Sequence, residues 1–209
     1  MNRKYVVLGC VLSLAIAFTG CTKEPLDNRT EEESRIYITN FDSTANFSAM
    51  RTFSISDSVT VVNNGQATRE FSAVDQAFIN ATVNQLKAAG YTQVSKQSNP
   101  DIGVNITRIY NTSTGVIVYD NYYGGYGGYY DPYYWGYGGY DYYMPYGYAT
   151  YTIREGALSI DLLDLKDAST TNNIKIVWTG LIRGSGIFSG DANAHVTALF
   201  QQSPYLGTN

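Results

Sequence analysis

The chain has 209 residues with 14 basic and 18 acidic side chains, a formal charge of −4, and no basic stripe of the kind a nucleic-acid partner demands. An apolar content of 44% is enough for one core of ordinary size in one domain. One histidine and two cysteines leave little from which to build a metal or thiol site.

The N-terminal stretch is an address. Arg3 and Lys4 precede an apolar run from Tyr5 to Phe18, broken by Gly9, Cys10 and Ser13, and small residues follow before Cys21. The run is shorter than the roughly 20 residues that cross a bilayer, so residues 1–20 read as a secretory signal peptide. Phe18-Thr19-Gly20-Cys21 resembles the lipobox of bacterial lipoproteins, with Phe18 where leucine is usual. The resemblance implies cleavage before Cys21 and a diacylglycerol thioether on its sulfur. The plainer alternative is a free cysteine ending an ordinary signal peptide. Loss of Arg3, Lys4 and Cys10 takes the charge from −4 to −6 and leaves no pair for an intrachain disulfide. Thr22, not an acid, follows Cys21, which resembles outer-membrane sorting; the side of the membrane faced stays open.

Residues 21–35 hold Pro25 and the acids Glu31 to Glu33 and almost nothing apolar, the composition of a flexible acidic tether to a single domain at 36–209. Ile36 to Phe41, Thr52 to Ile55 and Ser58 to Val62 read as strands, the last closing at Asn63-Asn64-Gly65. Asp42-Ser43-Thr44 and Asp57-Ser58-Val59 resemble the acceptor motif of Bacteroidota O-glycosylation, so Ser43 and Ser58 are candidate acceptors, although Asp-Ser pairs are also common turn formers. Ser72 with Asp75 makes an acidic capping box. Phe78, Ile79, Thr82, Val83 and Leu86 then recur at helical spacing until Gly90. Tyr91 to Val94 and Ile102 to Tyr110 return to strand, and Gly115 to Tyr119 is expected to extend the sheet or to pair with Tyr148 to Ile153.

Tyr119 to Tyr151 holds 15 of the 20 tyrosines, with eight glycines, Trp135, Pro132 and Pro145. That glycine density argues against a regular helix or a long strand, so a loop over 120–147 is expected, lying outside the core. On that reading, excising Tyr122 to Tyr146 changes stability by only about 1 to 2 kcal/mol. Tyr122, Tyr123, Tyr126, Tyr129, Tyr130, Tyr133, Tyr134, Trp135, Tyr137, Tyr140, Tyr142 and Tyr143 are candidates for stacking on a sugar, or on one another.

Gly156 to Gly184 reads as a β-hairpin. Leu158, Ile160 and Leu162 alternate with polar residues in one arm. Ile174, Ile176 and Trp178 alternate with Lys175, Val177 and Thr179 in the other, which predicts one buried face. The polar Lys166 to Asn172 connects the arms. Asp191 then caps a short helix with Ala192, His195, Val196 and Leu199 on one face, ended by Pro204.

Asn46-Phe47-Ser48-Ala49-Met50-Arg51-Thr52-Phe53, Asn99-Pro100-Asp101-Ile102-Gly103-Val104, the hairpin through Trp178-Thr179-Gly180 and the last helix resemble, in that order, the envelope lipoproteins of domain-of-unknown-function family 4136, common in Bacteroidota. The resemblance carries no activity. Ser203 stands where an apolar residue is expected, and the tyrosine enrichment is unusual for such a chain.

The residues supply little for catalysis. His195, on the apolar face of its helix, reads as structural. Asp161 and Asp164 fall on opposite faces of one strand and read as solvated charges, poorly placed for a glycosidase-like pair. No phosphate loop or calcium loop occurs. The reading is therefore an α+β domain, a largely antiparallel sheet of about six or seven strands with two helices packed on one face. Its expected role is non-enzymatic binding or scaffolding at the outer membrane, the partners being the membrane through the lipid anchor and an envelope protein or glycan. No cofactor, metal or nucleic acid is called for. The alternatives are a carbohydrate or cell-wall binder using the tyrosines, and a hydrolase whose carboxylates the sequence does not place.

Overall fold

The computed structural model describes residues 30–63, 66–110, 117–118, 132–145, 150–151 and 156–207. The signal peptide, Cys21, and Tyr122, Tyr123, Tyr126, Tyr129 and Tyr130 lie outside them. Thr30 and Glu33 bond reciprocally over a one-turn helix, α1 (Glu31–Ser34), inside the 21–35 expected as a tether. The strands are β1 (Ile36–Phe41), β2 (Thr52–Ile55), β3 (Val59–Asn63), β4 (Gln66–Glu70), β5 (Thr92–Gln93) and β6 (Ile102–Tyr110), then β7 (Ile117–Val118), β8 (Asp141–Tyr143), β9 (Thr150–Tyr151), β10 (Ala157–Asp164) and β11 (Asn173–Arg183). The longer helices are α2 (Ala73–Ala88) and α4 (Ala192–Gln201), and α3 (Ala168–Thr171) is a single turn between β10 and β11.

Nine strands form one mixed sheet, two or three more than the pattern predicts. The strands the pattern does not predict are β4 and β8: β8 has three residues and lies among tyrosines and glycines, and β4 (Gln-Ala-Thr-Arg-Glu) is exposed throughout, so neither carries an apolar alternation, while the strand expected over Tyr91 to Val94 forms as the two-residue β5. The order is β1-β11-β10-β6-β2-β5. β2 and β3 run in tandem along one edge of β6, both parallel to it, and β4 hangs on β3. Likewise β1, antiparallel, and β8, parallel, share the other edge of β11. β7 and β9 pair separately, as two flanking segments brought together rather than as an extension of the main sheet.

Both long helices lie on one face. Phe78 and Leu86 from α2 and Val196 and Leu199 from α4 pack with Ile102, Val104, Ile106, Leu158, Ile160, Leu162 and Trp178. The capping box forms: Ser72 N–H donates to Asp75 Oδ2 at 2.7 Å and Asp75 N–H donates back to Ser72 Oγ. Asp75 also holds Arg108 Nε at 2.7 Å, and Arg108 reaches Glu70 at 3.0 Å and the Tyr110 hydroxyl at 2.6 Å. The start of α2 is thereby bolted to β6 by a paired, largely buried charge.

The single buried face expected of the hairpin is divided in two. Leu162 faces Trp178 and the next residue, Leu163, faces Ile176, so Val177 is a β-bulge on β11. The bulge shifts the alternation. Trp178 points to the helices, while Ile174 and Ile176 point to the opposite face, where with Leu163, Leu165, Ala168, Trp135 and Met144 they form a second core.

For residues 132–145 that second core overturns the expectation that the tyrosine-rich stretch lies outside the hydrophobic interior. Pro132–Trp135 is a 3₁₀ turn, β8 joins the main sheet, and Trp135 and Met144 are buried at 8% and 7% exposure. Gly103 makes room: a β-carbon there would lie 3.1 Å from the indole of Trp135 and 3.0 Å from Leu165 Cδ1.

Candidate functional site

Two assemblies on the face away from the helices are the candidates. The first is polar. Asn105 and Thr107 of β6, Ser159 and Asp161 of β10 and Thr179 of β11 are register neighbours on that face, and all are buried. Asp161 is fully buried, its carboxylate accepting from the Thr179 hydroxyl at 2.8 Å and the Ser159 hydroxyl at 3.0 Å. Asn105, opposite Asp161, has a buried Nδ2 with no hydrogen-bond partner. Reading Asp161 and Asp164 as solvated charges is thus wrong for both: Asp164 is also buried, against the Asp167 amide. Burial, then the Asp167 charge, pushes the Asp164 carboxyl above its ordinary value despite the Asp167 hydrogen bond. The two acids have separate neighbours.

The second assembly is aromatic. Trp135 meets Tyr134 edge-on, with ring centres 4.8 Å apart. Arg69 and Lys96 lie over the Tyr134 ring at 4.7 and 3.9 Å, and its hydroxyl accepts from the Asp57 amide. The Tyr137 hydroxyl donates to the Leu165 carbonyl at 2.9 Å, and burial, with Tyr140 and Asp164 adding to it, pushes this phenol up, so it stays a donor. Tyr142 packs on the second core, whereas Tyr143 is 53% exposed. Of the stacking candidates whose side chains are described, then, most are spent on the protein itself.

The remaining candidates are scattered. His195 is buried, with Nδ1 2.7 Å from the Tyr37 hydroxyl and its ring parallel to Phe78. Ser43 is exposed in the turn after β1, but the adjacent Asp42 is buried and holds Thr44 and Lys175. Ser58 is half-buried and donates to Asp57.

A family model described as a domain of unknown function, DUF4136, matches residues 38–205. The chain belongs to the DUF4136 family. A solved DUF4136 family protein from Bacteroides thetaiotaomicron superposes with a TM-score of 0.68 at 25% identity, over 84% of this chain and 99% of that one. Comparison with curated proteins gives no match.

The family-like motifs have structural work to do. Asn46 accepts from the Ala49 amide and starts a 3₁₀ turn that buries Phe47. Asn99 takes a left-handed φ of 51°, and the Asp101 carboxylate then accepts from the Arg51 amide at 2.7 Å and the Thr52 amide at 3.0 Å, stitching β6 to β2. Burial pushes the Asp101 carboxyl up, but these amides, the Thr52 hydroxyl and the Lys166 charge hold it below its ordinary value. Gly180 is required because a β-carbon would fall 2.5 Å from Trp178 Cη2. Ser203, the departure from the apolar residue expected there, accepts the buried Trp178 indole N–H at 2.9 Å.

Proposed function

We propose that this DUF4136 protein is a non-catalytic binding or scaffolding module held at the outer membrane by acyl chains on Cys21. The observation that carries the reading is where the polar side chains go. Asp75, Arg108, Asp101, His195 and Asp161 each bind another element of the fold, so the side chains best suited to chemistry are engaged in holding it together. The stretch from Met1 to Cys21 supplies the address. Among the described residues no helix is long and apolar enough to cross a membrane, and a diacyl anchor, at about 0.8 kcal/mol per buried methylene, would supply the attachment. Labelled fatty acid should enter the wild-type chain and not Cys21→Ser, and the variant should leave the membrane fraction or stay uncleaved. Wild-type protein in the soluble fraction without acyl mass refutes the anchor.

Carbohydrate binding is the second reading, favoured by the exposed ring of Tyr143. Tyr134 is a poorer platform because cations lie over its ring. Glycan-array binding that Tyr143→Ala abolishes would support this reading, and binding that survives it would not. Ser43, exposed in its turn, is the better placed of the two proposed O-glycosylation sites, and hexose-sized increments in the intact mass from the native host are the test.

A further inference from the structure

β1 ends the nine-stranded sheet, and among the described residues no strand covers its outer edge. In an antiparallel ladder successive residues direct their N–H and C=O groups to opposite neighbours. Asp42 N–H donates to the Val177 carbonyl at 2.9 Å, and on the far side of β11 Gly184 N–H donates to Gly156 at 3.3 Å. Both bonds put Ile36, Ile38 and Asn40 in contact with β11, so the peptide groups of Thr39 and Phe41 face outward.

Edge strands are ordinarily guarded by charge, proline or a bulge. Ile36-Tyr37-Ile38-Thr39-Asn40-Phe41 has no charge and no proline. The charged residues that bracket it are committed elsewhere. The Arg35 guanidinium donates to the carbonyls of Ser185 and Gly186 at 3.0 and 3.3 Å, and the buried Asp42 carboxylate holds Thr44 and Lys175. Ile36 and Phe41 remain 43% and 38% exposed at its ends.

We propose that this edge pairs with the same edge of a second copy of the chain, antiparallel about a two-fold axis through Thr39. The strand is self-complementary there. Residues opposite one another share a face only in registers that keep parity. With Thr39 on the axis, its outward peptide group meets its own twin, and Phe41 lies across from Tyr37 of the other copy on the helix side of both sheets. Thr–Thr and aromatic pairs are among the favourable cross-strand contacts. A charged partner finds nothing on this strand to recognise, whereas a second copy meets it uncharged against uncharged, in a closed two-fold contact. The pairing does not depend on the lipid anchor.

The test uses the full chain in whole expressing cells, with Thr39→Cys, Ile38→Cys and Asn40→Cys compared on non-reducing gels against the parent, whose Cys10 and Cys21 set the background. Twin residues in a hydrogen-bonded pair lie about 5.5 Å apart at Cα, inside the roughly 4.4–6.8 Å that a disulfide spans, so Thr39→Cys should exceed the other two by about fivefold or more. Equal yields from all three, or no dimer from a Thr39→Cys thiol that still reacts with maleimide, overturn the proposal. Thr39→Pro is the second variant: it removes an outward N–H, not a rung to β11, and should cut amine cross-linking of wild-type-like, folded protein about fivefold. Undiminished cross-linking of folded Thr39→Pro also overturns it.

Discussion

Replacing Trp135 by alanine asks whether the tyrosine-rich stretch belongs to the core. The indole is 8% exposed, rests over Gly103 and meets Tyr134 edge-on. Truncating a buried tryptophan costs about 3–5 kcal/mol, and the edge contact adds about 0.5–1.5 kcal/mol beyond its area. β8 is only three residues long and can settle into part of the space, so about 3 kcal/mol is expected. With a urea slope of about 2 kcal/mol per molar, the midpoint followed by far-ultraviolet circular dichroism should fall by about 1.5 M. A side chain on a peripheral loop would change stability by no more than about 0.5 kcal/mol, so a shift below about 0.3 M refutes the reasoning. A second substitution sharpens it. Gly103→Ala brings a β-carbon to 3.1 Å from the indole and should destabilise the parent, yet be nearly neutral beside Trp135→Ala, where Leu165 can rotate into the vacated space. Coupling of about 1 kcal/mol or more is the expected signature, and strict additivity would show that the two residues do not touch.

Ser203→Ala leaves the buried Trp178 indole N–H without its acceptor and should cost about 1–3 kcal/mol by urea unfolding. Gly180→Ala forces a β-carbon into Trp178 and Leu199 and should cost about 1–3 kcal/mol, or prevent folding, in the same assay. Asp101, lowered in the folded state, contributes stability above its unfolded value of about 3.9 that is lost as pH falls through the lower folded value; the midpoint should drop below about pH 4, and Asp101→Asn should flatten that fall. Asp164 has the opposite sign. Raised in the folded state, its charge costs stability at neutral pH that is recovered as pH falls through the folded value, so Asp164→Asn should raise the midpoint at pH 7.

Much of the fold was legible in the residues themselves. The Ser72–Asp75 box fixes the start of α2, and β1, β2 and β6 begin and end where the sequence pattern places them. The bulge at Val177 was not legible, because Ile174, Ile176 and Trp178 satisfy a period of two whether or not the strand changes face between them. Buried Asp161 was missed for a related reason. A polar alternation looks the same facing water as facing a second layer, and only the pairing of β10 with β6 and β11 brings Asn105, Ser159 and Thr179 around it. The docking of Trp135 did leave a trace. A glycine inside β6, Gly103, marks a close approach, and one tryptophan among fifteen tyrosines is the side chain with most apolar area to bury.

The placement of β1 also has a kinetic side. Its rungs join Ile36 to Arg183 and Phe41 to Trp178, so the first strand made waits for the last. At a synthesis rate of about 5–20 residues per second, the intervening stretch of about 140 residues takes on the order of 10 s to appear. For that interval both edges of an uncharged, β-branched hexapeptide are open, and the β10–β11 hairpin, whose contacts are local, is free to form before β1 reaches it. A nascent chain is therefore most vulnerable to wrong pairing at Ile36 to Phe41, the first of the described strands to be made, and a chaperone acting early would have it as its natural client.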